Sequence, residues 1–179
     1  LITARAKPGQ RVILLGHSSG GGLVIRFAGG RHLDMIAGAV LLAPMIHHSA
    51  PTMRKDSGNW TTVLLRRVIG LSILNRIGIT QLNHLPIIRF AMPQSVLEGP
   101  LGATATVEYS YRLNTSFAPR DDYAADIAAL PPFLLLVGAD DQAFVADAYA
   151  PLMQPLTDQG QYQIISDTGH LALVDHPQT

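Results

Sequence analysis

The segment RVILLGHSSGGGLVIRFAGG (residues 11–30) constrains the fold of this chain more than any other stretch. It begins as an apolar, β-branched run, passes through Gly-x-Ser-x-Gly centred on Ser18, and continues with Leu23, Val24 and Phe27 at helical spacing. Residues 11–15 are therefore expected to form a strand buried on both faces. Residues 19–27 are expected to form a helix that stops at Gly29 and Gly30. A strand that turns through glycines straight into a helix sets the central side chain on a sharp, exposed corner. Gly16 and Gly20 are expected there because side chains would collide across the turn, and Gly21 because helix and strand pack closely. Without that context the pattern is weak, and a purely structural glycine turn remains the alternative reading of Ser18.

The rest of the chain repeats the strand-then-helix rhythm. Residues 38–44, 131–139 and 161–166 read as further strands, and 143–156 as a helix interrupted by proline. Alternation of this kind predicts an α/β fold, a doubly wound parallel sheet covered on both sides. The rhythm breaks once, because the stretch between the second and third strands far exceeds an ordinary connection. Within it TTVLLRRVIGLSILNRIGI has the apolar spacing of one or two amphipathic helices, and LPIIRFAMP is apolar and proline-bounded. Residues 49–120 are thus expected to form an inserted helical cap, leaving 1–48 and 121–179 as the core; extra core is the alternative.

Composition excludes several classes of function. Thirteen basic residues balance thirteen acidic ones, which argues against a nucleic-acid surface. Arg54-Lys55 and Arg66-Arg67 read as solvated faces. With no cysteine, there is no disulfide framework, thiolate metal site or cysteine nucleophile. The longest apolar stretch, residues 35–46, is too short to cross a membrane. No hydrophobic leader is visible either, and together these features fit a cytoplasmic protein.

A serine hydroxyl attacks only when a base removes its proton and an acid orients that base. In a parallel sheet these groups belong after later strands, at their carboxyl ends. GADD follows the third strand and DTGH the fourth, so Asp140 or Asp141, and then His170, stand in the required order. For either aspartate the structural alternative is a helix cap. Asp34, Asp56, Asp121, Asp122 and Asp126 read as caps or solvated charges. His32, His84 and His176 have no assigned chemistry, and the adjacent pair His47-His48 lacks a third metal ligand, so no metal site is expected.

GHSSGG (residues 16–21), LLLVGADD (134–141) and DTGH (167–170) together resemble the α/β-hydrolase family, in particular its capped lipases and esterases such as monoacylglycerol lipases and lysophospholipases. The resemblance covers nearly the whole chain, from the elbow strand onward, so the fold class it implies is the C-terminal half of that fold with an inserted cap. It favours Asp141 over Asp140, because the family's acid usually stands three positions after the glycine that ends its strand. It implies Ser18 as nucleophile, His170 as base and the Ser19 N–H as one oxyanion donor, with His17 and His47 beside the substrate pocket. A second oxyanion donor and the upstream half of the fold would precede Leu1. The implied activity is hydrolysis of a small-molecule carboxylic ester, possibly one carrying an acyl chain, with no cofactor. Thioesterase, carbon–carbon bond hydrolase and peptidase activities share the same residues, and a non-catalytic hydrolase-like protein is the remaining alternative.

Overall fold

The computed structural model describes residues 2–7, 9–55, 60–100 and 102–175; Asp56 and His176 lie outside them. A short helix α1 (Ile2–Arg5) precedes strand β1 (Ile13–His17), helix α2 (Ser19–Ala28) and strand β2 (Gly38–Leu42). Next come β3 (Thr61–Val63), α3 (Leu65–Arg76), β4 (Pro86–Phe90), α4 (Gln94–Leu97), β5 (Glu108–Ser110) and α5 (Tyr111–Phe117). The chain then returns through α6 (Tyr123–Ala128), β6 (Phe133–Gly138), α7 (Tyr149–Met153) and β7 (Gly160–Ile165). These elements group into two compact units, Leu1–Lys55 with Phe117–Thr179, and Asp56–Ser116.

The first unit is built on a parallel four-stranded sheet in the order β1-β2-β6-β7. Its two central strands carry the core: Leu41 of β2 is 0% exposed, and Leu135 and Val137 of β6 are each 1% exposed. Burying one such side chain contributes about 1.5–3 kcal/mol, which is why both strands read as near-continuous apolar runs. The outer strands behave differently. β1 pairs with β2, and its Ile13 and Leu15 are 61% and 66% exposed. The expected burial of 11–15 on both faces therefore does not hold: β1 is an edge strand here, and alternate side chains of an edge face solvent.

The second unit corrects the expectation of a helical insertion. It contains a three-stranded antiparallel sheet, β3-β4-β5, together with its helices. The apolar run LPIIRFAMP forms β4, because a short run bounded by prolines is too brief for a stable helix and rich in β-branched residues. TTVLLRRVIGLSILNRIGI divides between β3 and α3.

The flanks of the expected insertion (49–55 and 117–120) belong with the parallel-sheet unit. On the incoming side, Val145 N–H donates to the Thr52 carbonyl, and Met53 bridges Phe144. On the returning side, Arg120 pairs with Asp126 and donates to the Arg26 carbonyl. Asp126 is thus a buried ion-pair partner rather than a cap or solvated charge, whereas Asp122 does cap α6 by accepting from Ala125 N–H at 3.2 Å. Among the described residues, no helix is long and apolar enough to cross a membrane.

Candidate active site

Ser18 stands at the joint between β1 and α2 with φ 55° and ψ −121°, a conformation that non-glycine residues rarely adopt. Such strain costs on the order of 1–3 kcal/mol and persists only where the surroundings hold it. Here the Ser18 N–H donates to the Leu42 carbonyl, and the Ser18 carbonyl accepts from Met45 and Gly22 N–H. The turn tolerates no side chain at Gly16, where a Cβ would stand 2.4 Å from the Gly20 carbonyl oxygen. Gly20 itself faces open space, so the expected collision falls on Gly16 and not on both glycines.

The loops after β6 and β7 bring two further side chains to Ser18. His170 Nε2 lies 3.0 Å from Ser18 Oγ, and His170 Nδ1 lies 2.8 Å from Asp141 Oδ2. An ionised carboxylate only accepts, so the proton of neutral His170 sits on Nδ1 and its Nε2 lone pair faces the serine hydroxyl. Both side chains are buried, His170 being 1% and Asp141 0% exposed. The other carboxylate oxygen, Oδ1, accepts from the N–H groups of Ala143 and Phe144, each at 2.8 Å. The cap and site readings of this aspartate are therefore compatible: one oxygen closes a turn while the other faces the imidazole. Asp140 is exposed and makes neither contact.

Ser19 opens α2, where the first amides of a helix lack partners within it and point toward the residue before them. His17 lies against the imidazole, with ring centroids 4.6 Å apart, and its Nε2–H donates to the His170 carbonyl at 3.0 Å. Burial, reinforced by the neighbouring His170, lowers the pKa of His17 to about 4, so its ring is neutral at pH 7. His47 joins a different cluster. Its Nδ1 accepts from Ser49, and its Nε2 faces Asp121 at 3.6 Å. Its ring packs on His48 and Tyr123.

Three residues near the site went unnoticed in the sequence. Arg54, read as a solvated charge, donates its Nε–H to the carbonyls of Asp141 and Phe144 at 2.7 and 2.9 Å. Gln142 accepts from the His170 N–H at 3.0 Å. Tyr149, fully buried, donates its hydroxyl to the Pro44 carbonyl, and burial raises its pKa well above the usual phenol value. No local pattern marks them, apart from the adjacency of Gln142 to Asp141.

A hydroxyl bonded to an imidazole whose far nitrogen is held by a buried carboxylate can lose its proton while attacking a carbonyl carbon. The sequence model described as "Alpha/beta hydrolase family" matches residues 1–179. The fold is similar to that of a monoacylglycerol lipase from Paleococcus ferrophilus, at 22% identity and a TM-score of 0.62, over 94% of this chain and 62% of that one. It is also similar to a soluble variant of monoglyceride lipase from Saccharomyces cerevisiae, at 15% identity and a TM-score of 0.63, over 94% and 57%. A thermophilic esterase from Thermogutta terrifontis matches at 21% identity and a TM-score of 0.54, over 94% and 61%. The chain spans less than two thirds of the length of each of these structures. No curated protein sequence matches it.

Proposed function

The chain belongs to the α/β-hydrolase family, and from that premise we propose that it is a serine hydrolase cleaving carboxylic esters through an acyl-enzyme. The observation that carries this reading is the continuous row from Ser18 Oγ to His170 to Asp141, an order in which a carboxylate acceptor draws the imidazole proton to its own side. Ser18 attacks the ester carbonyl as His170 Nε2 takes its proton, and the oxygen of the tetrahedral intermediate is met by the Ser19 N–H. His170 then returns the proton to the leaving alcohol. Asp141 keeps the ring in the correct tautomer and stabilises the imidazolium. Water, activated by the same imidazole, releases the acid and restores Ser18.

Removing one oxyanion donor typically costs about 3–4 kcal/mol of transition-state stabilisation, so a second donor beside Ser19 belongs to this reading. The aliphatic-rich Asp56–Ser116 unit and the lipase and esterase names of the structural relatives support an ester with an acyl chain. His47 is assigned to substrate contact in the same reading, and the inserted unit is assigned the role of a cap.

Fluorophosphonate labelling of the intact protein tests the proposal. One adduct per chain at Ser18, abolished by Ser18→Ala, is expected, together with hydrolysis of p-nitrophenyl esters. Absence of both adduct and hydrolysis would favour a non-catalytic hydrolase-like protein.

A further inference from the structure

Two hydrogen bonds join the side chains of Ser18, His170 and Asp141, and two others hold the main chain of the residue between them. The His170 N–H donates to Gln142 Oε1 at 3.0 Å, and the His170 carbonyl accepts from His17 Nε2 at 3.0 Å. His17 directly precedes Ser18, and Gln142 directly follows Asp141. Each segment that presents a side chain to the imidazole therefore also grips the backbone that carries it. We propose that His17 and Gln142 are positioning residues that hold the peptide of His170 so that its ring stays in register with Ser18 and Asp141. The proposal rests on the reading of those three residues as the reacting row.

The need for such a clamp follows from where His170 sits. It lies in the loop after β7, beyond the last residue paired in the sheet, so no ladder hydrogen bonds hold its main chain. The imidazole must reach two partners at once, and an error of about 1 Å in such a geometry costs on the order of a hundred-fold in rate. The carbonyl of His170 can only accept, so the proton of His17 resides on Nε2. The hydrogen bond to the His170 carbonyl fixes this tautomer, and the half-buried ring, neutral at pH 7, leaves the proton chemistry to His170.

Gly169 is part of the same device. A Cβ there would stand 2.7 Å from Gln142 Nε2, so a side chain at Gly169 would push aside the movable amide that reaches the next N–H.

The test uses the intact protein, with p-nitrophenyl acetate hydrolysis expressed per site titrated by a fluorophosphonate. His17→Phe and Gln142→Met are each expected to lower kcat per labelled site by roughly ten- to a hundred-fold. KM should stay within about two-fold, because the hydrogen bond that each group contributes goes to the His170 main chain. His17→Gln, which returns an N–H donor near the Nε2 position, should recover most of the loss. Gly169→Ala, which displaces the Gln142 amide without removing it, should lower kcat per labelled site by less than Gln142→Met and add little on top of it, since both changes act on one contact.

A purely structural role would instead lower the number of labelled sites or the melting temperature and leave the rate per site unchanged. Wild-type kcat per labelled site in His17→Phe and Gln142→Met overturns the proposal, as does a His17→Gln variant no faster than His17→Phe. A wild-type protein that fails to label, or labelling that survives Ser18→Ala, overturns the reading of Ser18 instead.

Discussion

The two units of this chain place their aliphatic side chains in opposite ways. In the parallel-sheet unit, Leu41, Leu135, Val137 and Leu173 are 1% exposed or less. In the Asp56–Ser116 unit, Leu71 and Ile87 alone among the described residues are buried apolar side chains. There Leu65, Ile69, Ile73 and Ile77 recur every four residues and are 63%, 52%, 56% and 68% exposed. An apolar pattern in a sequence says which residues share a face, but burial requires a second element to cover that face. The parallel sheet covers its own strands because each central strand has a neighbour on both sides. The proposed site residues Ser18, Asp141 and His170 all belong to that unit, where dense packing can sustain a strained serine and a buried carboxylate.

Four experiments would break or sharpen this contrast. The largest expected effect is chemical. Asp141→Asn should lower ester hydrolysis by about three to four orders of magnitude, because the amide favours the wrong imidazole tautomer. Asp140→Asn, at an exposed position, should leave it within a few-fold. Steady-state kinetics on the two variants separates them, and equal losses would break the assignment of the chemistry to the buried carboxylate.

Next in size is packing. Leu41→Ala should destabilise the protein by about 2–5 kcal/mol, measured by denaturant unfolding, since it opens a cavity in the middle of the sheet. The third concerns pH. His17 has a folded pKa of about 4, below the ordinary value of 6.5. The unfolded chain therefore binds a proton that the folded chain refuses, and the contribution is complete above about pH 6.5 and lost as pH falls toward 4. Its upper limit is about 3 kcal/mol by the linkage relation, and His17→Phe should flatten stability curves in that window. The smallest effect is expected in the other unit. Ile69→Ser, at a position 52% exposed, should change stability by no more than about 0.5 kcal/mol. A loss comparable to that of Leu41→Ala would show that the α3 surface is covered in solution.

The legibility of the chain follows the same division. The strand–turn–helix around Ser18 could be read because an apolar β-branched run, a glycine turn and a helical repeat are each local signals. Asp141 and His170 could be proposed because sites of parallel sheets lie after strand ends, β6 being legible as the apolar run FLLLVG and β7 as a short segment ending in Ile164-Ile165. The inserted unit was harder. Its short strands β3 and β5 contain Thr61, Thr62, Glu108 and Tyr109, and three-residue elements carry too little periodicity to tell strand from loop. Arg54 looked like a surface charge, because nothing in RKD announces that its guanidinium will find two carbonyls from the loop after β6.

The sequence by itself determined the order of the parallel-sheet strands, the α/β class and the identity of the residue types that a hydrolase of this family needs, because these depend on patterns a few residues long. Only the tertiary structure decided which aspartate faces the imidazole, that β1 is exposed along one edge, that Gly16 rather than Gly20 is sterically required, and that His17 and Gln142 hold the main chain of His170. The contacts around His170 join residues far apart in the chain, from Asp141 to His170 and from His17 to His170. Such contacts are set by how strands stack in the sheet, and no local propensity encodes them.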